Sequence, residues 1–484
     1  MTPTSATSSW TATDLVDGVS ADLTDPIDVL DPATGHPCGE VSHGADAAER
    51  AGRAADAAAR ALPGWADLSA RQRADILLRA VDLLADRIPE IARILAVEAG
   101  KRLPEAEGEV RFSSEYLRWF AEEVRRPHGE FFTSEDRARR QLSIHRPLGV
   151  VASPTPWNFP ISIQARKVAP ALAAGCTVVV KPAEQTPLTA LALARLAHAA
   201  RLPAGVLNVL TGDPLAIGGA LTASSRVRKL SFTGSTEVGR LLMAQCASTI
   251  KKLSLELGGN APFIVFDDAD VAAAVDGAIV AKYRNTGQTC VCANRLLVQD
   301  GIYENFVALL ARRVESLKVG PGCEEGVAQG PLIDAAAVAK VEAHIADAVA
   351  QGARVITGGS RHARGGTFFE PTVLADVTPS MRIAREETFG PVAPVFRFAG
   401  EAEAIRMAND TEFGLAAYFY ARDIARCLRV GEALEYGMIG VNTGLISNEV
   451  APFGGVKQSG IGREGSRHGL DEYLEIKYLC FNTL

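Results

Sequence analysis

The string GQTCVCANR (287–295) sets a thiol, Cys290, just after a glycine turn. At an ordinary pKa of about 8.5 only a few per cent of a thiol is ionised at neutral pH, so a nucleophilic cysteine needs surroundings that favour thiolate. The sequence reads as a turn followed by a helix, whose terminal N–H groups would supply those surroundings. The plainer alternative is that Cys290 and Cys292 are small buried hydrophobes. In LSLELGGN (253–260), Glu256 ends an alternating strand immediately before two glycines. Burying a carboxylate there is costly without a task or a partner, and burial raises its pKa toward that of a general base. The alternative is a charge on a solvated turn. In TPWNFP (155–160), Asn158 stands between two aromatic residues ahead of a helix. Its amide is either an oxyanion donor or the N-cap of that helix.

Two further strings have the form of ligand loops. KPAEQTP (181–187) follows an apolar strand, at the carboxyl end where doubly wound sheets bind ligands. Lys181 and Glu184 there could hydrogen-bond ribose hydroxyls. FTGSTEVG (232–239) is a strand, a turn and a helix start, with Gly234 and Ser235 at the turn. Such a turn holds a pyrophosphate through backbone N–H groups and the helix dipole. It is not GxGxxG, and an ordinary glycine turn has the same pattern.

These residues need a scaffold to bring them together. From Gly149 the sequence alternates near-continuous apolar strands (GVVASPTP, TVVVKPA, VLNVLTG, VRKLSFTGS, KKLSLELGG) with helices, one of them from Pro160 through Ala174. That alternation predicts a parallel, doubly wound sheet. A second alternation begins at Ala261 with PFIVF, RLLVQ, FEPTVL and APVFRF. Before Gly149, helical spacing runs from Ala45 to Gly100 with a break at Pro63 and Gly64, and another helix is expected near 105–125. Residues 129–147 read as a polar hairpin.

Composition narrows the function. The chain has 484 residues, 47% apolar and 22% charged, as in a globular enzyme of two or three domains. Fifty basic side chains against fifty-seven acidic give a net charge of −7, the wrong sign for a nucleic-acid partner. The eight cysteines include no CxxC pair, so neither a zinc ribbon nor any other metal site is expected. A disulfide scaffold is equally unexpected at this length. The polar first twenty residues read as a flexible tail rather than a signal peptide, and no apolar run is long enough for a bilayer. A cytoplasmic protein with no membrane partner is expected.

PWNFP, KPAEQTP, FTGSTEVG, LELGG, GQTC, EETFGP and PFGGVKQSG, in this order and spacing, resemble the aldehyde dehydrogenase superfamily from roughly Asp31 to the C-terminus. Within it, RNTGQTCVCANR, NTGLISNEVAPFGGVKQSGIGREGSRHG and DEYLEIKY are most similar to the succinate-semialdehyde dehydrogenases. The resemblance implies an α/β protein: a Rossmann-like cofactor domain (1–125 and 148–257), an α/β catalytic domain (258–460) and an oligomerisation element (126–147 and 461–484). A homodimer or homotetramer is then expected.

The same resemblance implies roles. Cys290 is the nucleophile, Asn158 the oxyanion donor and Glu256 the base. Trp157, Lys181, Pro182, Ala183, Glu184, Gly234, Ser235, Leu257, Glu387 and Phe389 contact the cofactor. Arg166, Arg284 and Ser447 bind the carboxylate of a small aldehyde substrate, succinate semialdehyde, with glutarate semialdehyde or another aldehyde as the competitor. Gln164 stands where relatives often carry an apolar residue, which bears on the length of substrate accepted. Many bacterial relatives with a small residue in place of Glu184 prefer NADP. The Glu184 carboxylate would repel the extra phosphate, so NAD is expected, with NADP use open. In some relatives a cysteine two residues from the nucleophile forms a reversible disulfide, which makes Cys292 a candidate redox switch.

Overall fold

The computed structural model describes residues 10–126 and 129–482. The first nine residues of the expected tail, and 127–128 and 483–484 of the expected oligomerisation element, lie outside the described residues. Residues 10–20 are not a loose tail. They form the short strands Trp10–Thr11, Leu15–Val16 and Val19–Ser20. Asp14 is buried among them, paired with Arg50 and accepting from the Thr211 N–H at 2.8 Å. A polar stretch is held because its one buried carboxylate finds a cation and a backbone donor.

The strands Val150–Thr155, Thr177–Pro182, Leu207–Val209, Val227–Thr233 and Lys252–Glu256 form the parallel centre of an eight-stranded sheet. Their apolar runs follow from burial on both faces. One face is covered by helices that include Leu103–Glu123, Pro160–Ala174 and Pro187–Ala199, the other by Ala47–Ala66, Pro214–Ala223 and Thr236–Cys246. After Val150–Thr155 the chain adds two strands to one side, then crosses to add Val227–Thr233 and Lys252–Glu256 on the other. The sheet therefore has its switch point beside Val150–Thr155, where a crevice opens at the strands' carboxyl ends.

A second sheet has the strand order Arg354–Thr357, Thr372–Ala375, Val392–Phe398, Ala293–Gln299, Ala261–Val265, Ala416–Tyr420, Met438–Val441. It is parallel except for its first strand and has its own apolar packing on each face. A separate sheet joins Glu130–Phe132, Arg139–Pro147 and Leu474–Asn482. Among the described residues no helix is long and apolar enough to cross a membrane.

Two expectations are corrected here. The helix Ala47–Ala66 runs through Pro63 and Gly64 without a break. Its last turn is anchored by Trp65, 1% exposed, whose indole N–H donates to the Leu172 carbonyl at 3.1 Å. Burial of the indole together with that bond offsets the hydrogen bond a proline removes. The stretch after 460 is also more than an oligomerisation strand. Gly460–Ile461 pairs with Lys252–Glu256 at the edge of the first sheet, and helix Ser466–Asp471 packs on Leu103–Glu123 and Pro160–Ala174.

Candidate active site

Cys290 lies in the turn between the short 3-10 segment Arg284–Gly287 and the strand Ala293–Gln299. No helix follows it, so the expected helix-terminal stabilisation of a thiolate is absent. Desolvation instead pushes the Cys290 thiol up to about 12, against the lowering influence of Arg166 and Arg284. The turn fits only because Gly259 lacks a side chain: a Cβ there would lie 2.5 Å from the Cys290 carbonyl oxygen.

Cys290 is a wall of two cavities. The first, about 330 Å³, is also lined by Phe159, Arg166, Arg284, Leu445, Ser447 and Phe453. The second, about 350 Å³, is lined by Trp157, Asn158, Gly234, Ser235, Leu257, Glu387 and Phe389. Six of the ten residues read as cofactor contacts and all three read as substrate contacts thus fall into different chambers, which share Cys290 and Ile163. Lys181, Pro182, Ala183 and Glu184 are not walls of the second chamber. Lys181 and Pro182 end the strand beside Val150–Thr155, Ala183 and Glu184 follow it, and Lys181 and Glu184 form an ion pair. The Thr186 hydroxyl donates to the Trp157 carbonyl at 3.2 Å, which joins their turn to the chamber wall.

Asn158 is buried, and the cap position of helix Pro160–Ala174 belongs to Phe159. The Asn158 amide donates one N–H to the Gln288 carbonyl at 3.1 Å, which leaves its second N–H available. Its backbone is fixed through its carbonyl by Lys101 Nζ at 2.9 Å and Asn285 Nδ2 at 3.2 Å. Lys101 is in turn paired with Glu109. Glu109 also accepts from the Ile161 and Ser162 N–H groups, each at 3.2 Å. Lys101, Glu109 and Asn285 are absent from the sequence reading. Nothing in their spacing separates a buried charge from one on a solvated helix face.

Glu256 ends its strand buried, and its Oε2 has no hydrogen-bond partner. Burial and the neighbouring Glu464 carboxylate hold its acid well above the usual carboxylate range, while Lys167, Arg166 and Arg463 pull the other way. Glu256 forms the wall of neither chamber, but its charge acts on the Cys290 thiol. Glu464, paired with Lys167 at 2.6 Å and with Arg166 at 3.5 Å, is a further neighbour that sequence reading missed.

In the first chamber the Arg166 guanidinium lies over the Phe453 ring, 4.0 Å from its centroid, and near Tyr116. Arg166 is 7% exposed, and its Nε donor has no partner. Arg284 faces the Phe159 ring at 5.6 Å. Gln164 is 0% exposed and lies outside this lining, so the expected influence on chamber length is not exerted as a wall.

In the second chamber Trp157 and Phe389 meet edge to face at 5.5 Å. Ser235 caps the helix Thr236–Cys246, and a Cβ at Gly234 would clash with Phe232 at 2.4 Å. The Thr233 hydroxyl, also on this wall, is buried without a partner. One oxygen of Glu387 accepts the Gly259 N–H at 3.1 Å. Desolvation pushes the Glu387 carboxyl up to about 7. A helix start, an unpartnered hydroxyl and a carboxylate with one oxygen to spare suit the phosphates and ribose of a dinucleotide. Cys292 is not a wall of either chamber. Its sulfur lies 3.3 Å from the buried Lys282 Nζ and 3.4 Å from the Lys282 carbonyl.

The model of the aldehyde dehydrogenase family matches residues 19–479. A glutarate-semialdehyde dehydrogenase of Pseudomonas aeruginosa is 59% identical over 471 residues, 97% of each chain. A succinate-semialdehyde dehydrogenase of Escherichia coli, named for NADP(+), is 58% identical over 455 residues, 94% of each chain. The crystal structure of a succinate-semialdehyde dehydrogenase from Burkholderia pseudomallei has a TM-score of 0.96 and 58% identity, covering 97% of this chain and 98% of that one.

Proposed function

The chain belongs to the aldehyde dehydrogenase family, NAD(P)-dependent enzymes that oxidise aldehydes, and from that premise we propose that it converts succinate semialdehyde to succinate through a covalent intermediate on Cys290. The observation that carries the reading is the chamber in which the guanidinium side chains of Arg166 and Arg284 share the walls with Cys290. Two guanidinium groups beside the thiol suit a substrate carboxylate, which they bind through charge-assisted hydrogen bonds.

Cys290 Sγ attacks the aldehyde carbon, and its proton passes to Glu256. The oxyanion of the resulting thiohemiacetal accepts from the free Asn158 N–H and from the Cys290 backbone N–H. When bound, the nicotinamide supplies the acceptor for the hydride lost from that carbon. The dinucleotide would be held by Trp157, Gly234, Ser235, Leu257, Glu387 and Phe389, with Lys181 to Glu184 toward the adenosine ribose. Glu256 then releases the thiol's proton to solvent and, ionised again, deprotonates water, whose attack on the thioester expels the Cys290 thiolate and frees the acid. The first sheet and its helices are the cofactor domain, the second sheet the catalytic domain.

NAD is the preferred cofactor in this reading. The Glu184 carboxylate suits a ribose with both hydroxyls, and its pairing with Lys181 occupies the ammonium that a 2′-phosphate would need. An unscreened phosphate at about 4 Å would meet gross repulsion of roughly 4 kcal/mol at an effective dielectric near 20. A higher kcat/KM with NADP than with NAD would overturn it.

Glutarate semialdehyde is the second reading, favoured by the equal similarity to a relative named for that substrate. The test is a panel of succinate semialdehyde, glutarate semialdehyde and butanal, followed at 340 nm. The carboxylated aldehydes should lead butanal in kcat/KM by about 30- to 150-fold, the worth of a charge-assisted hydrogen bond of about 2–3 kcal/mol. Arg166→Ala and Arg284→Ala should erase that lead. Equal rates with butanal would end the assignment. The Cys290–Cys292 disulfide is a further proposal. It requires Cys292 to turn from Lys282, and peroxide inactivation reversed by dithiothreitol in wild type but not in Cys292→Ala is the result that supports it. Identical behaviour of the two would remove it.

A further inference from the structure

The segment between helix Arg382–Arg385 and strand Val392–Phe398 carries Glu387 and Phe389, both walls of the second chamber. It has no strand partner across residues 386–389, and Phe389 sits at φ 54°, in the left-handed region. Backbone groups in such a segment must find side chains. Asn294, 2% exposed, supplies them. Its Nδ2 donates to the Glu386 carbonyl at 3.0 Å, and its Oδ1 accepts the Thr388 N–H at 3.3 Å. The same Nδ2 reaches Asn260 Oδ1 at 2.9 Å. Asn260, 1% exposed, donates its own Nδ2 to the Ala384 carbonyl at 2.9 Å. Glu387 is thus bracketed by backbone groups pinned on either side of it.

The sequence positions add to the argument. Asn294 follows Cys290 by four residues, and Asn260 follows Glu256 by four. One hydrogen bond between two buried amides therefore links the segment of the proposed nucleophile, the segment of the proposed base and the loop of the cofactor carboxylate. Glu387 itself accepts from Gly259, the neighbour of Asn260. From the other side His344 bonds the Thr388 hydroxyl at 3.2 Å and the Glu386 carboxylate at 3.1 Å. His344 grips side chains there, while the asparagines fix the backbone.

We propose that Asn294 and Asn260 are positioning residues that act through the 384–388 segment to set Glu387 for the dinucleotide. The proposal rests on the reading of the second chamber as the cofactor site. An alanine at 294 frees the Glu386 carbonyl and the Thr388 N–H together, so the Glu387 carboxylate keeps its Gly259 bond but loses the pinned backbone on either side.

The test is titration of purified Asn294→Ala and Asn294→Asp with NADH, read by tryptophan fluorescence, beside cofactor-free alkylation of Cys290 by iodoacetamide. The titration involves no aldehyde. Wild type that fails to bind NADH would contradict the chamber assignment itself, separately from the clasp. With wild-type binding in hand, Asn294→Ala should weaken NADH and raise the cofactor KM by about tenfold or more. Its cofactor-free alkylation rate should stay within about twofold of wild type. Asn294→Asp, which keeps the acceptor for Thr388 but sets a carboxylate oxygen against the Glu386 carbonyl and Asn260 Oδ1, should weaken NADH at least as much, and serves if the alanine variant does not fold. In a Glu387→Gln background, Asn294→Asp should add nothing to the cofactor KM. Unchanged NADH binding in the single variants, alkylation lost in proportion to binding, or additive effects in the double variant would overturn the proposal.

Discussion

At Cys290 and Glu387 desolvation decides the resting protonation states. The Cys290 thiol is pushed up to about 12, so the free enzyme is almost wholly protonated there at neutral pH. Its alkylation by iodoacetamide should climb about tenfold per pH unit from pH 7 to 9 without a plateau. A plateau already reached at pH 7 would show a stabilised thiolate instead. The Glu387 carboxyl is pushed up to about 7. It is ionised above that pH and neutral below, and in the proposed cofactor site only the ionised form would accept from two ribose hydroxyls. The cofactor KM should therefore rise as pH falls below about 7, and Glu387→Gln should remove the inflection. A profile unchanged in that variant would assign the titration elsewhere. At this scale the sequence singles out Cys290, Glu256 and Asn158 as candidates, because a residue's type limits its chemistry. It was silent on Lys101, Glu109 and Asn294, whose partners lie far away in sequence and whose burial is set by packing.

The helix Pro160–Ala174 carries Arg166 and Lys167 and follows directly on Asn158, so its placement sets several parts of the site. Glu109 caps its first turn and compensates Lys101, itself buried. Glu109→Ala leaves an ammonium without its partner and should cost about 3–5 kcal/mol. A fall in Tm together with a drop in kcat is expected, while wild-type stability would show that Lys101 finds another partner. The strand and helix alternation after Gly149 was readable because parallel strands buried on both faces leave long apolar runs. The helix expected after Cys290 was not there: the strand Ala293–Gln299 begins too soon after the thiol to leave room for one. At Pro63 the buried Trp65 carried the helix past a local stop signal, a case of tertiary contact overriding punctuation.

The whole molecule presents a three-stranded sheet with Phe131 at 64%, Ile476 at 71%, Tyr478 at 55% and Phe481 at 50% exposure. Ile476 and Tyr478 stand on one face of this sheet and Phe131 and Phe481 on the other, and we propose a second copy of the chain as the cover. Light scattering should find a dimer or tetramer, and Ile476→Lys should shift it toward smaller species. A monomeric wild type would contradict this. The two largely parallel sheets were legible from the two alternations, whereas the return of Gly460–Ile461 to the first sheet was not, because two residues carry no periodicity. The central claim is that Cys290, a wall of both chambers, becomes acylated. Mass spectrometry of enzyme quenched during turnover with NAD and succinate semialdehyde tests it most directly. The peptide bearing Cys290 should gain the mass of one succinyl group, only when both reactants are present. An unmodified Cys290 during full turnover, or the acyl group on a different residue, would contradict the account.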